Sequence, residues 1–118
     1  MASPFNLTGG PVRVTAPTVQ PLAAAIDLGE YPEINAVLNA LEIVGGGSAT
    51  VRILTSTQNR NESGWVVALT FSAISQPNSL ELKQTLSFLR YIRWEVSALT
   101  GSSPALTFAI EGVAKGRD

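Results

Sequence analysis

The chain of 118 residues has the length of one domain, and its formal net charge of −1 provides no electrostatic attraction for nucleic acid or for an anionic membrane. Cysteine and histidine are both absent, which removes disulfides, thiolate nucleophiles, and the commonest general base and metal ligand. Charged residues make up only 14% of the sequence, so the surface must consist largely of Ser, Thr, Asn and Gln. These features predict a protein that binds through its surface and is not an enzyme. We expect no cofactor and no resident metal.

The N-terminal residues and the apolar runs predict neither a signal peptide nor a membrane span. Residues 1–4 lack the basic and apolar regions of a signal peptide, and no apolar run approaches the roughly 18 residues of a membrane span. Residues 1–10 contain Pro, Asn, Ser and a Gly-Gly pair, which favours a flexible N-terminal arm over a packed element. We therefore expect a chain made in the cytosol, with an arm at 1–10, a β domain at 11–114 and a polar tail at 115–118.

The first part of the domain reads as short strands. Residues 12–21 alternate polar and apolar side chains, but the three prolines in and beside this segment limit it to an edge strand, because proline cannot donate to a ladder. Residues 23–28 predict a second strand, which ends in the turn formers of residues 29–32.

Residues 34–44 fit both a helical stripe and a strand. A strand is favoured because the segment ends in three glycines, 45–47, and is followed by the β-branched, alternating residues 49–56. The glycines then predict a hairpin connection between two strands.

Three segments with large apolar residues at a period of two predict the core strands, at residues 65–71, 88–96 and 105–111. Polar loops are predicted at 57–64 and 99–104, and a short, half-exposed strand is predicted around Leu80 and Leu82. Seven or eight short strands separated by turn formers are typical of an all-β protein, either a two-sheet antiparallel β-sandwich or a jelly roll.

Four segments, in this order, resemble the galactose-binding-like (discoidin-type) jelly-roll family. They are Ala25-Ile26-Asp27-Leu28-Gly29, Thr55-Ser56 ahead of a polar loop and Trp65, Arg90-Tyr91-Ile92-Arg93-Trp94, and Phe108-Ala109-Ile110-Glu111-Gly112. A narrower resemblance, based on size and polar composition, is to small structural proteins of tailed-phage virions, such as capsid decoration (cement) or neck proteins.

The resemblance implies a virion structural protein that is made in the host cytoplasm and binds and stabilises the assembled shell. Its partners would be the major capsid protein or other virion proteins, with further copies of itself in a homo-oligomer, and neither nucleic acid nor a membrane. The alternative that it implies is a carbohydrate-binding module for host or glycan recognition. Partner contacts are expected in the arm and in the two polar loops, together with one strand face, at Phe5, Asn6, Asn59, Arg60, Asn61, Tyr91, Arg93, Ser102 and Ser103.

Several side chains have two interpretations. Trp65 and Trp94 could stack on sugars, but their place on alternating apolar faces favours the core. Arg90 is expected to pair with a carboxylate such as Asp27, and Arg93 to be a solvated contact residue.

Three carboxylates near one turn form the most acidic stretch of the chain. They could contribute to a hard-cation site, although a solvated turn is the favoured interpretation because the spacing of a dedicated calcium loop is missing. The residues are Asp27, Glu30 and Glu33.

Overall fold

The computed structural model describes residues 2–29, 33–59, 61–85 and 89–115. Strand is the predominant structure in this part of the chain, with one short 3-10 turn, which confirms the predicted all-β class. No helix in it is long and apolar enough to cross a membrane. In chain order the elements are β1 (Ala2–Asn6), β2 (Val12–Val14), β3 (Thr18–Val19), a 3-10 helix (Leu22–Ala24), β4 (Ile26–Asp27), β5 (Glu33–Ser56), β6 (Val66–Thr70), β7 (Ser79–Thr85) and β8 (Tyr91–Lys115).

Two very long strands, β5 and β8, organise the molecule. They pair antiparallel along their full length, and the other strands pair with one or the other of them. The rings of Trp94 and Phe108 lie 5.2 Å apart, edge to face, although fourteen residues of β8 separate them. A straight strand would place these residues about 45 Å apart. The paired strands therefore bend back on themselves, and their two halves pack face to face as a sandwich.

The bend lies where Gly46 of β5 pairs with Gly101 of β8. Both glycines have positive φ values, 75° and 120°, a backbone region that other residues rarely adopt. The register shifts on both sides of this pair, as expected of bulges. The prediction of a hairpin at residues 45–47 is therefore wrong, and so is that of a loop at 99–104, because the turn-forming residues bend two continuous strands without ending them.

Because of the bend, the strands form two sheets, and each sheet is four strands wide. The first sheet has the order β7, β5, β8, with β1 and β2 along the far side of β8. The second has the order β6, β5, β8, with β3 and β4 along the far side. The sandwich thus has a β8 side, edged by β1 to β4, and a β5 side, edged by β6 and β7.

Apolar side chains at every second position of the long strands fill the space between the sheets, since successive side chains of a strand point to opposite faces. The inward residues of the predicted core strands in β8 are confirmed as buried, while Phe88 lies outside the described residues. The fully or nearly fully buried members include Ile34, Ala36, Leu38, Val51, Ile53, Ile92, Trp94, Val96, Leu106, Phe108 and Ile110.

Only the second half of the predicted core strand at 65–71 contributes side chains to the core. Ile53 pairs with Leu69 and Leu54 pairs with Val67, so Ala68 is an extra residue on β6. Such a bulge moves the side chains before it to the other face. Leu69 is accordingly buried, whereas Val67 is 45% exposed.

The N-terminal residues are part of the sheet, which corrects the expected flexible arm over residues 1–10. Strand β1 pairs with the end of β8, and the buried Leu7 donates its N–H to the carbonyl of Ile110 at 2.9 Å. The ring of Phe5 packs over Gly112, in the space that a Cβ there would fill. Phe5 and Leu7, together with the space that Gly112 leaves, thus dock a segment whose composition favours a loop.

Residues 22–27 differ in part from the predicted strand at 23–28. Ala24 donates its N–H to the carbonyl of Pro21 at 2.9 Å, which forms the 3-10 turn, and only Ile26 and Asp27 join the sheet. The preference for a strand at residues 34–44 is confirmed, and β7 matches the predicted short strand around Leu80 and Leu82.

Candidate interaction surface

The side chain expected to be a solvated contact, Arg93, is buried with only 2% of its surface exposed. It lies on the outer face of β8 but is covered by chain segments from both sides. Its Nε donates to the carbonyl of Gln20 at 2.9 Å, Nη2 donates to the same oxygen, and Nη1 pairs with Glu62 Oε1 at 2.9 Å. Arg93 is therefore unavailable to a partner, and it fastens the loop at 57–64 to the sheet.

The ring of Trp65 covers this guanidinium. The Arg93 Cζ lies 5.0 Å from the ring centroid, which is the geometry of a cation–π contact. The indole Nε1 donates to the carbonyl of Asn61 at 3.0 Å. The expected core position of Trp65 is thus wrong, because the bulge at Ala68 turns the start of β6 toward the loop, whereas Trp94 is 5% exposed and belongs to the core.

Gln20 is the organising residue that the sequence pattern did not reveal. Its side chain is 5% exposed; Nε2 donates to the carbonyls of Leu7 and Ala24, and Oε1 accepts from the N–H of Trp94. Its own backbone oxygen accepts from Arg93. One amide side chain therefore links three segments of the β8 side, and no local periodicity identifies such a residue.

Asp27 and Arg90 form the ion pair that the sequence predicts. Two charge-assisted hydrogen bonds join them, at 2.9 and 2.8 Å, and both side chains are exposed to solvent. The Arg90 guanidinium, together with the N–H of Gly29, holds the pKa of the Asp27 carboxyl below its ordinary value, against a smaller opposing effect of burial. In return, hydrogen bonding to Asp27 raises the pKa of Arg90. The guanidinium also lies 5.2 Å from the ring centroid of Tyr91.

Two of the predicted contact residues in the loop at 57–64, Asn59 and Asn61, make hydrogen bonds within the protein. Asn61 Oδ1 accepts from the N–H and the hydroxyl of Ser63, at 3.0 and 2.7 Å. Asn59 Nδ2 donates to the carbonyl of Leu22, while its Oδ1 is buried with no partner among the described residues. Arg60 lies outside the described residues. These side chains shape the loop, and Asn61 remains exposed beside it.

The other predicted contact residues lie on other elements. Phe5 is half-buried against the core, and Asn6 Oδ1 caps a turn by accepting from the N–H groups of Gly9 and Gly10. Ser102 and Ser103 are exposed at the bend, roughly 35–40 Å from Tyr91 along the course of β8. The structure therefore distributes the predicted set over three places and does not bring it together as one surface.

The acidic stretch does not form a metal site among the described residues. Asp27 is paired with Arg90, and Glu33 Oε2 accepts a hydrogen bond from Gln84 Nε2. Glu30 lies outside the described residues. No group of three potential metal-ligating side chains occurs in the described ranges.

The β5 side carries a feature that the sequence analysis did not single out. Six large apolar side chains are exposed among the described residues, and four of them lie on β6 and β7. We call these four the aliphatic edge: Val66 (56% exposed), Val67 (45%), Leu80 (71%) and Leu82 (67%).

The side chains of β7 that face the core are polar, whereas those of the neighbouring strand β5 are apolar. Glu81 pairs with Leu38 and Lys83 pairs with Ala36, so both charges lie on the side of the core. The Glu81 carboxylate accepts from the N–H and the hydroxyl of Ser72, at 2.7 and 2.9 Å. Because the charges occupy the inner face, the leucines of β7 must point outward into solvent.

A recess of about 260 Å³ lies between β7 and the segment that follows β6. Its walls include Leu38, Ser72, Ser75, Gln76 and Glu81. Ser72 donates two hydrogen bonds to the carboxylate of Glu81 in the wall of this recess, which lies next to β7.

Comparison with protein families, with curated proteins and with solved structures finds no match for this chain.

Proposed function

We propose that this protein is a structural protein of a tailed-phage virion, a capsid decoration (cement) or neck protein that binds the assembled shell. The major capsid protein or another virion protein is the proposed partner, and the site of action is the virion. The sequence resemblance to small virion β-sandwiches motivates this proposal. The aliphatic edge is the observation that supports a protein-binding role.

Exposed aliphatic side chains are common singly, but a group of them on adjacent edge strands is typical of a protein contact surface. Val66 and Val67 are consecutive, so an alternating strand would have hidden one of them, and the bulge at Ala68 leaves both exposed. The two valines adjoin the loop at 57–64, which Arg93 fastens to the sheet. A loop held to the sheet next to exposed valines offers both specificity and apolar area to a partner.

A decoration protein stabilises a shell by mass action, because it binds the assembled lattice and not the free subunits. Many weakly held copies then raise the stability of the whole shell. The required affinity of each copy is modest, which suits a small number of exposed aliphatic side chains.

The carbohydrate-binding alternative depends on free aromatic faces. A guanidinium lies over one face of Trp65 and another lies over one face of Tyr91, and Trp94 is in the core. These contacts favour the protein-binding proposal over the glycan-binding one.

The test uses capsids of the tailed phage whose genome encodes the chain, assembled without it. Purified protein is added, and co-sedimentation and the melting temperature of the capsid are measured. We expect saturable binding and a higher melting temperature, both reduced by the Val66→Ser/Val67→Ser double variant. Val44→Ser is the matched control, because Val44 is also exposed, at 37%, but lies at the bend.

Absence of binding to the shell and to the neck would contradict the proposal. Sub-millimolar binding on a glycan array by the same preparation would favour the carbohydrate-binding alternative.

A further inference from the structure

We propose that two copies of the chain associate edge to edge through β7, antiparallel, with the Leu82 residues of the two copies opposite each other. This inference concerns the chain alone and does not depend on the proposed virion role.

The first argument is that residues 79–84 of β7 can extend the sheet on their outer side. Among the described residues they pair with β5 only, and the strand contains no proline. The free side of such a strand presents unpaired N–H and C=O groups, which a further strand can satisfy.

The edges of the β8 side are protected. Strands β1 to β4 have five, three, two and two residues, and prolines lie in or next to the first three of them. Short strands and prolines are common means by which proteins prevent edge pairing. Strand β7 is longer and contains no proline. Its protection consists of two inward charges, Glu81 and Lys83, which restrict pairing to a partner strand of matching charge.

The second argument is that β7 is complementary to itself in charge. When two copies pair antiparallel around Leu82, Glu81 of each copy lies opposite Lys83 of the other. Opposite charges directly across an antiparallel pair stabilise it, and like charges destabilise it. Shifting the pairing by one position on each strand would place Glu81 against Glu81, or Lys83 against Lys83. Of these three registers, only the one centred on Leu82 pairs opposite charges.

The third argument concerns the outer face. In the same register Leu82 lies beside its own copy, and Leu80 lies opposite the aliphatic part of Gln84. Leu80 and Leu82 are the two most exposed large apolar side chains of the described residues, at 71% and 67%. Pairing thus covers apolar surface and adds main-chain hydrogen bonds at the same time. The result is a sheet that runs continuously from one copy into the other.

The chain contains no cysteine, so single-cysteine variants of the full-length protein report the register directly. In the proposed dimer the two residues at position 82 are opposite, with Cβ atoms about 4.5–5.5 Å apart, close to the spacing of a disulfide. The two residues at position 80 are offset by four residues, roughly 13 Å along the strand. Under mild oxidation we expect Leu82→Cys to form a linked dimer and the equally exposed Leu80→Cys to remain unlinked.

Sedimentation equilibrium of the unlinked protein provides an independent test. We expect a monomer–dimer equilibrium whose Kd rises about tenfold in Lys83→Glu and in Glu81→Lys, since each places like charges opposite each other. An equimolar mixture of the two variants restores both charge pairs and should restore the association. Melting curves of each variant confirm that it is folded.

Equal linking of the two cysteine variants would overturn the proposed register. A wild-type chain that stays monomeric at millimolar concentration would overturn the dimer, and so would a mixture of the two charge variants that associates no better than each variant alone.

Discussion

The β8 side and the β5 side of the sandwich differ in how far their edge strands are protected from pairing with a further strand. On the β8 side, four short strands are held by hydrogen bonds that converge on Gln20 and Arg93. On the β5 side, two proline-free strands present aliphatic side chains to solvent, and Glu81 holds the connecting segment through Ser72. We therefore expect the β8 side to contribute most to stability, and we propose that the β5 side serves binding.

The largest expected effect comes from removing the anchor of the β8 side. Arg93→Met should lower the free energy of unfolding by about 3 kcal/mol, because the buried carbonyl of Gln20 loses its charged donor. Denaturant unfolding followed by tryptophan fluorescence measures the loss.

The matched control is Glu62→Gln, which removes only the carboxylate of the ion pair. The Glu62 side chain is 69% exposed, so the expected loss is about 1 kcal/mol or less. If the two variants lost equal stability, the ion pair and not the carbonyl contact would be the anchor.

A second prediction concerns the bend, where β5 pairs with β8 through Gly46 and Gly101. At Gly101 of β8, an added Cβ would lie 2.5 Å from the carbonyl oxygen of Gly45, and the φ of 120° is itself unfavourable for alanine. Gly101→Ala should therefore lose about 2 kcal/mol or more. Its partner Gly46 has a positive φ but nothing within 4 Å of the added atom. Gly46→Ala should lose only about 1 kcal/mol, the cost of the backbone conformation.

Thermal unfolding of both variants checks this order. A smaller loss in Gly101→Ala than in Gly46→Ala would show that the close approach of β5 and β8 at the bend does not constrain the fold.

The long strands were predictable because their side chains alternate, and alternation depends only on the local backbone. The inward positions of β8 around Trp94 follow directly from that pattern. The pairing of Arg90 with Asp27 was also predicted, because an arginine on an apolar strand face was expected to have a carboxylate partner, although the pair is in fact exposed to solvent.

The bend, the bulge and the burial of Arg93 were not predictable from local pattern. Three glycines favour a hairpin and a bend equally, and the choice depends on whether the opposite strand also continues, as it does at Gly101. The extra residue Ala68 has no sequence signal, yet it decides which way Trp65 points. Arg93 lies on a polar face in the sequence, and only the folding of the loop at 57–64 over that face buries it. The exposure of the aliphatic edge was not predictable for the same reason, because alternation alone does not distinguish an exposed leucine from a buried one.

A smaller effect is expected from the exposed ion pair at the end of the β8 side. The pKa of Asp27 is lowered in the folded protein, so the pair stabilises the fold above the ordinary pKa of an aspartate and this contribution is lost as the pH falls through the folded value. The melting temperature of the wild type should therefore exceed that of Asp27→Asn at neutral pH, and the two should converge below about pH 4.

Arg90→Gln removes the cause of the lowered pKa and should show the same convergence. A difference between wild type and Asp27→Asn that stayed constant from neutral to acidic pH would contradict this account of the pair.

The smallest effect on stability should come from the aliphatic edge itself, which is what distinguishes a binding side from a structural one. Leu80→Ser should change the free energy of unfolding of the monomer by less than about 0.5 kcal/mol, because the side chain is already 71% exposed. Leu38→Ala, on the neighbouring strand and 2% exposed, should lose about 3 kcal/mol. Measured at low protein concentration, the pair compares an outward and an inward leucine of the same sheet. A large loss of stability in Leu80→Ser would mean that the outer face of β7 supports the fold. The β5 side would then contribute to stability as the β8 side does, which would contradict the proposed difference between them.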